Sequence, residues 1–220
     1  MNEQKKQVSY QTTNTYETSN VLTDKTKNIW IVLHGIGYLS KYFIKYFDEL
    51  NVEENYIIAP QAPSKYYLKN QYKYVGASWL TKENTLLETA NVLAYLDAVY
   101  ALENLPKNKN IIIFGFSQGV SIAMRWFASR KIPCKRLVLY AGGIPKELNT
   151  EDFAFLSHQS TEVTVIVGNK DQYLTGNQLK HQKERLLTLF GEKAKLHIFE
   201  GGHEVKKEII NQIGQNGELS

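Results

Sequence analysis

Cysteine is almost absent from this sequence. Cys134 is the one cysteine among 220 residues, so no disulfide bond can form within the chain. A chain without disulfides is compatible with a reducing compartment. Hydrophobic residues make up 43% of the sequence, which is enough to form an apolar core. We therefore expect burial of apolar side chains, and not covalent crosslinks, to hold the fold together.

Long apolar runs are also missing. No segment approaches the roughly 18 consecutive apolar residues that a transmembrane helix requires. Residues 1–20 are polar and contain no continuous apolar stretch of the kind found in a signal peptide. The sequence therefore predicts a cytoplasmic protein with no integral membrane segment.

Charge of one sign is nowhere concentrated. The formal net charge is +4, and the densest basic clusters are the pairs Lys5-Lys6 and Lys206-Lys207. A nucleic-acid-binding surface needs a basic patch or stripe, which two lysine pairs far apart in the sequence do not supply. We therefore expect no nucleic-acid partner.

Signatures of cofactor and metal binding are missing as well. Gly35-x-Gly37 is too short for a dinucleotide fingerprint, and no Gly-x-x-x-x-Gly-Lys phosphate loop occurs. No pair of histidines stands with carboxylates at the spacing of a metal site. We expect neither a cofactor nor a metal ion.

The sequence does contain alternating strand and helix patterns from residue 28 onward. Short, continuous apolar runs are typical of strands buried on both faces of a parallel sheet. They are Ile29–Leu33, Tyr56–Ala59, Ile111–Phe114, Leu137–Tyr140, Val163–Val167 and Leu196–Phe199. Helical spacing of apolar residues lies between them, at Leu39–Leu50, Thr85–Glu103, Gln118–Arg130, Asn177–Phe190 and Glu204–Ile213. This order predicts an α/β fold with a mostly parallel central sheet and helices on both faces.

The length fits a single domain over residues 1–220. Residues 1–20 are expected to be peripheral, with an antiparallel edge strand or hairpin within 8–18, and residues 214–220 to be a flexible tail. Residues 61–79 form the one long irregular segment, which is unusual in a compact domain and makes it a functional candidate. A chain of this length leaves no room for a large cap domain.

The sharpest motif surrounds Ser117. Gly115-Phe116-Ser117-Gln118-Gly119 matches Gly-x-Ser-x-Gly, follows a predicted buried strand and precedes a predicted helix. In that context the serine lies on a tight turn that presents its hydroxyl at the carboxyl end of the sheet. The alternative is a strand–helix turn that happens to carry two glycines. We interpret Ser117 as a nucleophile.

A serine hydroxyl needs a base, and His203 is the best-placed candidate. In chains with such an elbow the acid and then the histidine follow the nucleophile. His181 lies within a predicted helix and His197 within a predicted strand, whereas His203 follows Gly201-Gly202 just beyond the last strand. A glycine-containing loop can bring the imidazole over the serine, so we assign His203 as the base.

The acid is expected after an intermediate strand. Asp171 follows the run that ends at Val167 and therefore lies at the same edge of the sheet. Its role would be to orient the imidazole. Alternatively, Asp171 caps the helix that begins near Thr175, and Asp152 and Glu200 are rivals for the acid.

The backbone N–H groups of Gln118 and Ile36 are the candidates for an oxyanion hole. One donor is expected from the residue after the nucleophile and the other from the loop after the first buried strand. Gln118 follows Ser117, and Ile36 lies in the segment His34-Gly35-Ile36-Gly37. We interpret His34 as a structural residue of that loop.

Aromatic residues in segment 61–79 suggest a wall for a substrate pocket. Tyr72, Tyr74 and Trp79 follow a predicted buried strand whose carboxyl end should face Ser117. Rigid aromatic side chains suit the wall of an acyl pocket that opens to water. Alternatively, these residues pack the loop onto the sheet.

Together these motifs resemble the carboxylesterase/phospholipase family of α/β-hydrolases, which contains acyl-protein thioesterases. The resemblance spans roughly residues 28–210. It rests on Leu33-His34-Gly35-Ile36-Gly37, Gly115-Phe116-Ser117-Gln118-Gly119, Tyr140-Ala141-Gly142-Gly143-Ile144-Pro145, Gly168-Asn169-Lys170-Asp171 and Gly202-His203-Glu204. It implies a single-domain α/β-hydrolase fold, a Ser117, Asp171 and His203 triad, and an oxyanion hole from Ile36 and Gln118. The implied substrates are carboxylic esters, lysophospholipids or acyl thioesters.

The sequence departs from the family pattern near the expected acyl pocket. Tyr38 follows Gly37 where members often carry Gly-Asp, and Val120 follows Gly119 where many have a second glycine. Gln172-Tyr173 replaces the usual Pro-Val after the acid. We therefore add Tyr38 and Tyr173 to the candidate pocket residues and expect a pocket that differs from the family's.

The expected function is that of a serine hydrolase that cleaves esters or thioesters of small or acyl substrates through an acyl-enzyme. Two alternatives remain at this point. One is hydrolysis of another bond, such as a peptide or lactone, on the same scaffold. The other is a non-catalytic binding protein that retains the fold, since function depends on the site and not on the fold.

Overall fold

A seven-stranded, mostly parallel sheet forms the centre of the protein. The computed structural model describes residues 4–173 and 176–215. The strands of the sheet and of a separate hairpin are β1 (Tyr16–Ser19), β2 (Asn28–Leu33), β3 (Asn55–Pro60), β4 (Ser64–Tyr67), β5 (Val75–Ser78), β6 (Asn110–Phe116), β7 (Arg136–Tyr140), β8 (Glu162–Gly168) and β9 (Ala194–Phe199). The order in the sheet is β1-β3-β2-β6-β7-β8-β9, with β1 antiparallel to β3 and the other neighbours parallel. All six predicted strands are present, and the predicted α/β class is confirmed.

Helices cover both faces of the sheet, as predicted. They are α1 (Ser40–Phe43), α2 (Thr85–Glu103), α3 (Gln118–Arg130), α4 (Gly176–Phe190) and α5 (Lys207–Gly214). Successive residues of β2 alternate between two apolar clusters, because side chains of a strand point to opposite faces. One cluster joins the sheet to α2, α3 and α4, and the other joins it to α1 and α5.

Segment 61–79 is not irregular, which corrects the sequence-based expectation. It contains an antiparallel hairpin of β4 and β5, joined through a short 3-10 helix at Leu68–Asn70. All four residues of β4 are exposed, so the segment lacks the alternation of apolar and polar residues by which a half-buried strand is recognised. No cap domain occurs among the described residues.

Two predicted helices differ from their expected bounds. The first predicted helix, Leu39–Leu50, is α1 followed by a 3-10 helix at Ile44–Phe47. The last helix begins at Lys207 and not at residue 204, because residues 203–206 form a loop that the Lys206 N–H anchors to the Tyr140 hydroxyl (3.1 Å).

The predicted peripheral ends also need adjustment. Residues 16–19 form an edge strand of the sheet, so only the last part of the 8–18 prediction is a strand. Residue 214 lies within α5 and not in a tail, and residues 216–220 fall outside the described part. No helix in the described ranges is long and apolar enough to cross a membrane.

Candidate active site

Ser117 lies on a strained turn between β6 and α3. Its backbone torsions are φ 53° and ψ −116°, a region that residues other than glycine rarely adopt and that tends to mark functional sites. The Ser117 N–H donates to the Tyr140 carbonyl oxygen at 2.9 Å, which fixes the turn against β7. The 13-residue helix α3 begins at the next residue, Gln118, so its amino terminus lies beside the Ser117 hydroxyl, where it favours developing negative charge.

Gly119 allows this turn to close. A Cβ atom on Gly119 would collide with the backbone carbonyl group of Leu33 in the neighbouring strand. We expect Gly119→Ala to lower the free energy of unfolding by about 1–3 kcal/mol, the usual cost of overpacking. Gly143→Ala is the matched control, because a Cβ there would meet only Gln182 Nε2, at 3.9 Å. Urea unfolding of both variants tests this, and equal stability of the two would contradict it.

The structure brings Ser117, His203 and Asp171 into one hydrogen-bonded chain. His203 Nε2 lies 2.9 Å from Ser117 Oγ, and His203 Nδ1 lies 2.8 Å from Asp171 Oδ2. A carboxylate only accepts hydrogen bonds, so Nδ1 carries the proton and Nε2 is free to accept one from the serine hydroxyl. The geometry is that of a nucleophile, a base and an orienting acid.

Asp171 is held on both oxygens and is completely buried. Oδ2 accepts from His203, and Oδ1 accepts from the Tyr173 N–H at 2.8 Å. Its loop after β8 is joined to the loop after β9, since the Lys170 N–H donates to the Gly201 carbonyl oxygen at 2.9 Å. The carboxylate and the imidazole are thus positioned by two loops that are bonded to each other.

The rivals for the acid point elsewhere. Glu200 forms an exposed ion pair with Lys170 at 3.1 Å. Asp152 Oδ2 accepts from the Asn149 N–H at 2.8 Å at the start of a 3-10 helix. Neither carboxylate contacts His203 among the hydrogen bonds of the described residues.

The His203 ring is packed between two aromatic rings. Phe116 lies at a centroid distance of 5.2 Å, and Tyr173 packs edge-on at 4.8 Å and 75°. Tyr173 is 61% exposed and therefore covers the imidazole from the solvent side. These contacts limit rotation of the imidazole away from Ser117.

The two candidate oxyanion donors face the same space as Ser117. Ile36 and Gln118 both line the cavity around the serine. In residues 4–173 and 176–215, neither backbone N–H group has a hydrogen-bond acceptor. Unpaired N–H groups beside the serine are what a developing oxyanion requires.

Trp79 holds these two donors in place and does not line a pocket. It is fully buried, and its indole Nε1–H donates to the His34 carbonyl oxygen at 2.8 Å, two residues before Ile36. Its backbone N–H donates to Gln118 Oε1 at 2.8 Å. This placement corrects the expectation of a pocket wall, because a buried indole N–H needs an acceptor and finds one inside the loop.

His34 is a buried structural residue of the same loop. Its Nδ1–H donates to the Gly35 carbonyl oxygen (2.8 Å), and its Nε2 accepts from the Ala62 N–H (3.1 Å). Burial lowers the pKa of His34 to about 4 from the ordinary 6.5, against a smaller opposing effect of the Gly35 hydrogen bond. The side chain is therefore neutral in the folded protein above that range.

This shift predicts an acid-dependent loss of stability. Between pH 6.5 and pH 4 the unfolded chain binds a proton at His34 that the folded chain does not. The free energy of unfolding should therefore decrease as pH falls through this window, by about 3 kcal/mol at most. Urea unfolding at a series of pH values gives the free energy of unfolding as a function of pH. This dependence on pH should be shallower in His34→Asn than in wild type, whereas His158→Gln, at an exposed site, should not show this change. If the free energy of unfolding depends on pH identically in wild type and His34→Asn, the loss of stability in acid does not come from His34.

A cavity of about 940 Å³ opens above Ser117. It is lined by Ile36, Tyr38, Phe116, Ser117, Gln118, Ser121, Ala141, Gly142, Gly143, Lys146, Tyr173, Gln178, His181, Gln182 and His203. Tyr38 and Tyr173, two of the predicted pocket residues, are among them. Burial and a hydrogen bond to Tyr46 raise the pKa of Tyr38 to about 12, so this hydroxyl is neutral.

The remaining predicted pocket residues lie elsewhere. Tyr74 lines a second cavity of about 580 Å³, and Tyr72 is 90% exposed at the tip of the hairpin. Neither tyrosine is among the described residues that line the cavity above Ser117. Sequence analysis did not assign the polar wall of the cavity, whose residues come from α4 and from the loop after β7.

Metal ligands do not converge in the described residues. No group of three or more histidine, cysteine, aspartate or glutamate side chains is placed to hold a metal ion there.

Comparison with known proteins gives one family match. The model of the phospholipase/carboxylesterase family matches residues 17–216, which is most of the chain. No curated protein sequence gives a significant match.

Solved structures show the same fold. Acyl-protein thioesterase 2 of Zea mays aligns with a TM-score of 0.69 at 16% identity, covering 92% of this chain and 97% of that one. A carboxylesterase of Bacillus cereus aligns with a TM-score of 0.65 at 15% identity, covering 92% of each chain. A phospholipase/carboxylesterase of Dyadobacter fermentans DSM 18053 aligns with a TM-score of 0.63 at 19% identity, covering 94% of this chain and 98% of that one.

Proposed function

The chain belongs to the phospholipase/carboxylesterase family, and from this membership we propose that it is a serine hydrolase acting on carboxylic esters or thioesters. The observation that carries the proposal is the unbroken chain of hydrogen bonds from Ser117 Oγ through His203 to Asp171, at 2.9 and 2.8 Å. The family supports the hydrolase type, and this geometry supports the serine mechanism.

In the proposed first step, Ser117 attacks the substrate carbonyl carbon. His203 Nε2 takes the hydroxyl proton as the new C–O bond forms, and Asp171 stabilises the resulting imidazolium. The carbonyl electron pair moves to oxygen, where the N–H groups of Ile36 and Gln118 can donate to it. The tetrahedral intermediate then collapses, and the alcohol or thiol leaves with the proton from His203.

In the second step, water releases the acyl group. His203 removes a proton from the water while the water oxygen attacks the carbonyl carbon of the acyl-enzyme. When the tetrahedral intermediate collapses, His203 returns the proton to Ser117. The exposed opening of the cavity leaves a path for that water.

A fluorophosphonate probe followed by a substrate panel tests the proposal. An activated serine attacks the phosphorus and expels fluoride, so labelling is expected only with a working serine–histidine pair. The panel contains 4-nitrophenyl esters from acetyl to decanoyl, acyl thioesters, a lactone and a peptide. Labelling together with turnover of esters or thioesters supports the proposal. Turnover of only the lactone or the peptide would show that the enzyme hydrolyses another bond. An absence of both labelling and turnover would favour a non-catalytic binding protein.

A further inference from the structure

The cavity above Ser117 has two chemically different ends. Aromatic and aliphatic side chains surround one end, beside His203. The other end, which we call the polar end, is formed by Ser121, Gly143, Lys146, Gln178, His181 and Gln182. No acidic residue lines this cavity in the described part of the chain, so Lys146 brings the one permanent charge to its wall.

The backbone that carries Lys146 is fixed by two side chains of α4. Gln182 Oε1 accepts from the Ile144 N–H at 3.0 Å. Arg185 donates through one terminal nitrogen to three carbonyl oxygens of the same loop, those of Pro145, Lys146 and Leu148, at 2.8, 2.9 and 2.6 Å. The loop after β7 is therefore held in place before a ligand arrives, which lowers the entropic cost of binding.

Positive charge at the polar end is not neutralised. Lys146 is exposed and has no carboxylate partner among the described residues. Arg185 is held by carbonyl groups, and its buried Nε has no hydrogen-bond partner there. The neighbouring Glu147 is already paired with Arg125 at 2.6 Å.

Gln182 supplies a second donor in the wall of the cavity that Lys146 also lines. Its Oε1 is occupied by Ile144, which leaves Nε2 to donate, and Nε2 lies near Gly143, where the missing side chain leaves the wall open. Glu184 is the nearby carboxylate, but it contacts His181 Nδ1 at 3.7 Å and does not line the cavity. Lys146 and Gln182 line the same cavity, and an ammonium and an amide N–H that one ligand can reach form a site for a carboxylate or phosphate group.

We propose that the polar end binds an anionic group of the substrate, so the preferred substrate is an ester or thioester that carries a carboxylate or phosphate away from the scissile carbonyl. This inference rests on the proposed esterase activity and deepens it. The carbonyl group of the substrate lies at Ser117, and its charged end lies against Lys146 and Gln182.

Two pairs of substrates, in each of which one member carries the anionic group and the other is neutral, test the proposal and separate the two anions. One pair is the 4-nitrophenyl monoester of adipic acid and its methyl ester, and the other is 1-butyrylglycerol 3-phosphate and 1-butyrylglycerol. We expect kcat/KM to favour the charged member of at least one pair. Lys146→Gln should lower kcat/KM about three- to fivefold more for that member than for the neutral member, mainly through KM. Added salt should have a similar effect in wild type.

Lys107→Gln is the matched control. It removes the same charge from an exposed loop before β6, at the opposite edge of the sheet. In both pairs it should leave the ratio of kcat/KM for the charged member to kcat/KM for the neutral member unchanged. If wild type favours neither charged ester, or if Lys146→Gln lowers both members of a pair equally, the anion site is refuted. If wild type still hydrolyses the neutral esters and is labelled by the fluorophosphonate, the esterase proposal remains intact. If wild type shows neither hydrolysis nor labelling, both proposals are refuted.

Discussion

Replacing Ser117 with alanine should abolish ester hydrolysis and fluorophosphonate labelling together. The variant removes the nucleophilic oxygen while the backbone and the His203–Asp171 pair remain, so the expected loss of kcat is on the order of a thousandfold or more. Alanine has the same Cβ as serine, and the turn at φ 53° is therefore no more strained than before. Mass spectrometry of the labelled protein and an assay with 4-nitrophenyl butyrate measure both effects.

Ser121→Ala is the control for this experiment. Ser121 lines the same cavity, but its hydroxyl donates to the Gln118 carbonyl oxygen at 2.9 Å and does not contact His203. Labelling and turnover should persist in this variant. Labelling that survives in Ser117→Ala would show that another residue is the nucleophile.

Replacing Asp171 with asparagine should cost up to about ten-thousandfold in kcat. In wild type the Tyr173 N–H donates to Asp171 Oδ1 at 2.8 Å, and in the variant it should bind the amide oxygen in the same place. The amide NH₂ then faces His203 Nδ1. Nδ1 must then accept a hydrogen bond, so the ring proton moves to Nε2. An imidazole with a protonated Nε2 cannot take the proton of Ser117.

Two other carboxylates provide matched controls for this variant. Glu200→Gln breaks only an exposed ion pair with Lys170, and Asp152→Asn changes a turn at a 3-10 helix. Both should stay within a few-fold of wild-type kcat, since surface changes have small effects. A crippling effect of Glu200→Gln with a mild effect of Asp171→Asn would reverse the assignment of the acid.

The central strands and the chain order of the candidate triad could be predicted because their signals are local. A strand that is buried on both faces must be apolar at every position, and Ile29–Leu33 and Ile111–Phe114 show this directly. The turn at Ser117 requires glycines at fixed offsets, because the strand and helix backbones approach closely there. The sequence pattern and the physical requirement therefore coincide at these positions.

The hairpin and the role of Trp79 could not be predicted in this way. Strand β4 is exposed at all four positions, so its pairing with β5 leaves no hydrophobic pattern. An aromatic residue at the end of a loop suits a pocket wall and a buried anchor equally well. The choice depends on whether the indole N–H finds an acceptor, and only the folded chain places the His34 carbonyl oxygen there.

The α/β class, the family resemblance and the candidate site residues Ser117, Asp171 and His203 could all be inferred from the sequence alone. Tertiary structure decided what surrounds them, including which tyrosines reach the cavity and that Lys146 and Gln182 share its polar end. The physical reason lies in the range of the interactions. Strand burial and turn geometry constrain neighbouring residues, whereas the cavity wall joins side chains some 40 positions apart, such as Ile144 and Gln182, whose meeting depends on how α4 packs against the sheet.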